Sequence, residues 1–160
     1  MKLASWNVNS LKVRLPQLLD WLAAATPDVV CLQEIKASPD QLPFELRDVQ
    51  DYWSYWHGEK GYSGVGMYSR HEPSDVIVGL GEPEFDAEGR YVELRFDKPG
   101  RQLSLISCYF PSGSSGEERQ QAKFRFLDVV YPHLHALKGT REFILVGDVN
   151  IAHQEIDLKN

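Results

Sequence analysis

Apolar side chains recur along this chain in two rhythms. Leu11, Leu15, Leu18, Leu19 and Leu22 fall at i, i+4, i+7, i+8 and i+11, one face of an amphipathic helix. Ser10 is its expected N-cap, Pro16 is tolerable in the first turn, and Thr26-Pro27 ends it. Ala122, Phe126, Val129, Val130, Leu134 and Leu137 repeat the helical spacing over residues 117–137, up to Gly139. Elsewhere the pattern is that of strands. Val29 to Leu32 is a continuous apolar run, as expected of a strand buried on both faces. Further strands are expected at residues 2–6, 76–80, 91–96, 103–110 and 143–148, and the aromatic and glycine-rich stretch "YWSYWHGEKGYSGVGMYSR" reads as two strands and a turn. Residues 39–52 are acidic, contain two prolines and read as loop with a short helix at best.

Many strands with two clear helices between them predict layered sheets with helices outside. No fixed-period repeat, low-complexity segment or linker divides the 160 residues, so one domain is expected. A hydrophobic share of 42% is ordinary for a soluble globular chain. The N-terminus lacks the apolar region of a signal peptide and no run reaches the length of a membrane span, which places the protein in the cytoplasm as an expectation. Cys31 and Cys108 lie inside apolar runs and fit no metal spacing, so buried free thiols are expected. The net charge of -6 argues against a nonspecific basic coat for DNA. Lys36, Lys60, Arg70, Arg90, Arg119 and Lys123 could still gather on one face.

The candidate chemistry collects where strands end. Asn7, Glu34, Tyr109 and the pair Asp148 and Asn150 each follow or close an apolar run. Polar residues at several strand ends can converge from distant parts of a sequence, and ligands gather there in sheet proteins. Each also has a plainer reading. Glu34 could pair with Lys36, Asp148 could close a turn, Asn7 and Asn9 could cap a helix, and Tyr109 could be a core aromatic. If the group holds a metal, carboxylate and amide oxygens suit a hard cation such as Mg²⁺ or Mn²⁺, and Mg²⁺ points to phosphate-ester chemistry. A P-loop and a GxSxG nucleophile elbow are both absent.

Six stretches in order, "SWNVNSL", "VVCLQEIK", "GYSGVGMYSR", "FDAEGRYV", "YFPSGS" and "LVGDVNIAHQEIDLKN", closely resemble the exonuclease III family of abasic-site endonucleases, in the endonuclease/exonuclease/phosphatase superfamily. The resemblance implies an α+β four-layer sandwich, with two packed mixed sheets flanked by helices. It implies Mg²⁺ (or Mn²⁺) held by Glu34 and Asn7, Asp148 orienting or deprotonating the attacking water, Asn150 holding that water or the phosphate, and Tyr109 beside the scissile phosphate. Asp148 and Asn150 thus also stand at the metal side. The implied partner is duplex DNA with abasic sites or blocked 3′ ends, and the implied protein is a monomer when full length. Pro111 is followed by Ser112, where many relatives carry asparagine. The family's C-terminal Ser-Asp-His does not occur, and His153 reads as a loop residue. Residues 1–160 are therefore expected to be the N-terminal portion of a single domain, and to fold poorly, aggregate or lack activity alone. The alternatives are a phosphomonoesterase of the same superfamily and a noncatalytic DNA-binding fragment.

Overall fold

The computed structural model describes residues 1–157. Two four-stranded sheets are stacked face to face. The first contains β1 (Leu3–Asn7), β2 (Val29–Gln33), β3 (Trp53–Glu59) and β4 (Tyr62–Ser69), in the order β1-β2-β4-β3. The second contains β5 (Asp75–Val78), β6 (Tyr91–Lys98), β7 (Arg101–Tyr109) and β8 (Glu142–Asp148), in chain order. Each sheet joins an antiparallel hairpin to one parallel pair, β1 with β2 and β7 with β8. A parallel pair needs a long crossover, and α1 (Leu15–Ala25) and α4 (Glu117–Lys138) provide the two.

The side-chain alternation of the strands builds three apolar layers. In β2, Val30 and Leu32 face α1 with Leu18 and Leu22, while Val29 and Cys31 meet Val92, Leu94 and Leu105 between the sheets. In β7, Ile106 and Cys108 turn to Phe126 and Val130 of α4. The expected four-layer sandwich is thus present, and the continuous run at Val29–Gln33 is buried throughout because both of its faces are covered. Both thiols are free and buried, and burial pushes Cys31 up to about 12. No described helix is long and apolar enough to cross a membrane.

Several local expectations give way to tertiary contacts. Ser10 does not cap α1. Its φ is +85°, its N–H donates to Glu34 O at 2.8 Å, and the helix starts through a 3-10 turn at Lys12–Arg14. Asn9 is no cap either, since its Oδ1 accepts from Lys36 Nζ at 2.5 Å. The acidic stretch carries a 3-10 turn at Pro39–Gln41 and one helical turn, α2 (Phe44–Arg47). β5 stops at Val78 because Gly79 turns at φ +84°, and a short α3 (Pro83–Asp86) follows, its Asp86 accepting from the N–H groups of Leu80 and Gly81.

Glu93 of β6 has no exposed surface and accepts hydrogen bonds from Ser104 Oγ at 2.6 Å, Arg95 Nε at 2.8 Å and Tyr91 Oη at 2.9 Å. Desolvation raises its pKa, but these donors outweigh that and hold the carboxyl below the ordinary range. A depressed folded pKa contributes stability above the unfolded value of about 4.3, and that stability is lost as pH falls through the folded value. Glu93→Gln in the whole protein is expected to cost about 3 kcal/mol near neutral pH, with the gap to wild type narrowing below about pH 4. Denaturant unfolding as a function of pH checks this, and a gap independent of pH contradicts it.

Candidate active site at the strand ends

The two parallel pairs aim their C-terminal ends the same way. In register, Asn7 stands beside Gln33 and Tyr109 beside Asp148, so the residues that follow or close these four strands meet at one edge of the sandwich. Asn7 Nδ2 donates to Glu34 Oε1 at 2.9 Å and to Asp148 Oδ2 at 3.0 Å, joining the sheets through one amide. Tyr109 Oη donates to the same Glu34 Oε1 at 2.9 Å. Lys36 Nζ lies 3.1 Å from Glu34 Oε2. Glu34 therefore makes both the expected site contacts and the plainer pair with Lys36.

The backbone aims Glu34 from an uncommon conformation. Its φ is +53°, a region that costs a non-glycine residue energy and persists only where the surroundings enforce it. Here they do. Val8 N–H and Ser10 N–H bond the carbonyls of Gln33 and Glu34 at 3.0 and 2.8 Å from one side, while Ile35 N–H and Lys36 N–H reach Gly64 O and Ser63 O at 3.2 and 2.9 Å on the other.

The electrostatics follow from these contacts. Partial burial raises the Glu34 pKa, but the hydrogen bonds from Asn7, Lys36 and Tyr109 outweigh it and keep the carboxyl below its usual range, ionised at neutral pH. The Tyr109 phenol is pushed well up by burial and then by the Glu34 carboxylate, so it carries its proton and can donate it. Among the described residues, Asn7 gives Asp148 its single side-chain hydrogen bond.

Asn150, one residue beyond Val149, also has positive φ, +53°. Its Nδ2 donates to Phe110 O at 3.0 Å and its carbonyl accepts from Lys123 Nζ at 2.6 Å. It thus borders the network of Asn7, Glu34, Tyr109 and Asp148 without a hydrogen bond into it. His153 lies in an exposed bend, and Ser112 Oγ contacts Ser114 Oγ at 2.8 Å. Of the six expected cations, Lys36 contacts the network and Lys123 holds Asn150. Arg70 belongs to the opposite end of the sandwich, where its N–H bonds Asp28 O at the start of β2. Arg90 was expected only among these cations, and its role escaped the sequence reading: it is a buried guanidinium that bonds the carbonyl of Tyr109 at 3.0 Å. The only sequence signal was an arginine directly after Gly89, and that resembles any exposed turn.

Among the described residues, no three His, Cys, Asp or Glu cluster as a metal cage. The donors are instead two carboxylates and an amide, all hard oxygens. Glu34 Oε1 and Asp148 Oδ2 lie within two hydrogen-bond lengths of each other, and an ammonium already sits against Glu34 Oε2. This set fits a hard divalent cation that keeps water and substrate oxygens as further ligands. Asn7 faces its nitrogen to both carboxylates and its Oδ1 accepts from Asn9 N–H at 3.1 Å. Ligation through Asn7 therefore calls for the amide turned over.

Two mixed sheets stacked face to face and flanked by helices, with oxygen donors converging at the strand ends, define the class of fold, and comparison with known proteins agrees. The model of the endonuclease/exonuclease/phosphatase family matches residues 4–160, and the chain belongs to this family. It is 38% identical to an exodeoxyribonuclease of Bacillus subtilis over 162 residues, covering 100% of this chain and 62% of that protein. The solved AP endonuclease of Archaeoglobus fulgidus superposes with a TM-score of 0.84 at 30% identity, covering 100% of this chain and 61% of that one. The 3′ phosphatase NExo from Neisseria, solved bound to a product DNA hairpin, gives 0.84 and 30%, covering 97% and 60%. The chain thus spans about 60% of the length of these relatives.

Proposed function

We propose that the whole protein is a Mg²⁺-dependent DNA phosphodiesterase of base-excision repair, with residues 1–160 as the N-terminal portion of its one catalytic domain. It nicks duplex DNA 5′ to an abasic site, leaves a 3′-hydroxyl, and removes 3′ nucleotides or blocking groups. The observation that carries this reading is the network joining Asn7, Glu34, Tyr109 and Asp148 across the two sheets. The exodeoxyribonuclease and AP endonuclease relatives support the choice of DNA.

In this reading Glu34 holds the cation, with Asn7 beside it. A cation bound there would supply positive charge for a phosphoryl oxygen and for deprotonation of water. Asp148 orients the attacking water and takes its proton, a general-base role that needs an acceptor fixed by a neighbour, here Asn7. Tyr109, protonated and already donating, hydrogen-bonds the phosphate or the departing oxygen. Asn150 holds the attacking water, which donates to the amide oxygen that its bond to Phe110 leaves available.

A second reading, release of phosphate from a DNA 3′ end, is favoured by the likeness to the Neisseria 3′ phosphatase. The test offers the whole protein one duplex with an abasic site and one with a 3′-phosphate. Incision at the abasic site supports the endonuclease reading. Phosphate release without incision replaces it with the second.

A further inference from the structure

Arg90 is 1% exposed, yet it carries a permanent charge. Burying a guanidinium costs several kcal/mol unless its donors are all met. Each of its three nitrogens has a partner. Arg90 Nε donates to Glu88 Oε2 at 2.5 Å, one terminal nitrogen to Tyr109 O at 3.0 Å, and the other to Tyr62 Oη at 3.0 Å. The Arg90 carbonyl accepts from Tyr109 N–H at 2.9 Å, so residue 90 grips both polar groups of the Tyr109 backbone. The guanidinium carbon also lies 5.1 Å from the centre of the Tyr109 ring, within cation–π range. Arg119 closes the group from outside, bonding Glu88 Oε1 at 3.2 Å and covering the other tyrosine, Tyr62, at 5.0 Å.

A side chain this buried cannot reach a DNA strand. Its contacts converge on Tyr109, whose far end bonds Glu34. We propose that Arg90 is a positioning residue: by holding the Tyr109 backbone and one face of its ring, it sets the phenol at the Glu34 carboxylate. This rests on the role proposed for Tyr109. The planar fork explains why arginine serves, since lysine offers no parallel pair of donors and no flat cation for the ring.

The test uses the whole protein and an abasic-site duplex with Mg²⁺, comparing R90M and R90K, each alone and combined with Y109F. R90M is expected to lower kcat by about 10²-fold, the scale of an ångström-sized misplacement, with little change in KM. R90K should recover part of the loss. In the Y109F background R90M should cost no more than about twofold, because the group it positions is already gone. An equal loss in both backgrounds, or a loss confined to KM, overturns the proposal.

A readout free of activity is fluorine NMR of protein labelled with 3-fluorotyrosine, with the Tyr109 line assigned by its absence in Y109F. R90K should shift and broaden that line, and an unchanged line overturns the proposal even where R90M does not fold. If wild type fails to incise, the proposed function falls, and the Tyr109 line still decides the role of Arg90.

Discussion

Asp148→Asn is expected to lower abasic-site incision by about 10³-fold, while the affinity for the same duplex stays within a few-fold. The substitution keeps the shape of the side chain at the end of β8 and an oxygen that can accept from Asn7. What it removes is the capacity to take a proton from water and one negative charge beside Glu34. A group that acts only as the bond to water breaks contributes to kcat and little to binding. Single-turnover incision and duplex binding separate the two. Near-normal incision by the variant contradicts the role given to Asp148, and a parallel loss of binding shows that it holds substrate instead.

Gly147→Ala is expected to destabilise the whole protein by more than about 4 kcal/mol, at the far end of what single substitutions do. Gly147 has φ +148°, and a Cβ built there would overlap the carbonyl oxygen of Cys108 on the adjacent strand β7. That neighbour is backbone in a paired strand and cannot yield. The close approach lets Asp148 leave β8 beside Tyr109, so the residue that sharpens the strand end also delivers the acid. Thermal or denaturant unfolding checks this. A variant within about 1 kcal/mol of wild type shows that β7 and β8 can move apart at no great cost.

The layering was legible because burial writes itself into periodicity. The leucine stripe from Leu11 to Leu22 and the run Val29 to Leu32 each encode which faces are covered. The convergence at the site was legible in part. Glu34, Asp148, Asn7 and Tyr109 stand out as polar groups ending apolar strands, and parallel pairing then places them on one edge.

What stayed hidden depends on partners remote in sequence. Ser10 and Asn9 have the composition of helix caps, but Glu34 and Lys36 claim them from the loop after β2. The turn of α3 is too short for a stripe, and its anchor is Asp86 accepting from a loop five and six residues earlier. Arg70 shares its charge with Lys36 but sits at the opposite ends of the strands, a distinction that only register supplies. Arg90 is the sharpest case. Glu88 is a neighbour in sequence, but the burial also requires Tyr62 of β4 and Tyr109 of β7, and no local pattern announces partners from two separate strands.

The strand-end network, as proposed, serves metal-assisted cleavage of a DNA phosphodiester. The most direct test is incision of a duplex bearing one abasic site by the whole protein, in Mg²⁺ or in EDTA, with the new ends identified. Cleavage 5′ to the site that leaves a 3′-hydroxyl with Mg²⁺ and stops in EDTA is the predicted result. Cleavage unaffected by EDTA, or an intact duplex under both conditions, contradicts the account.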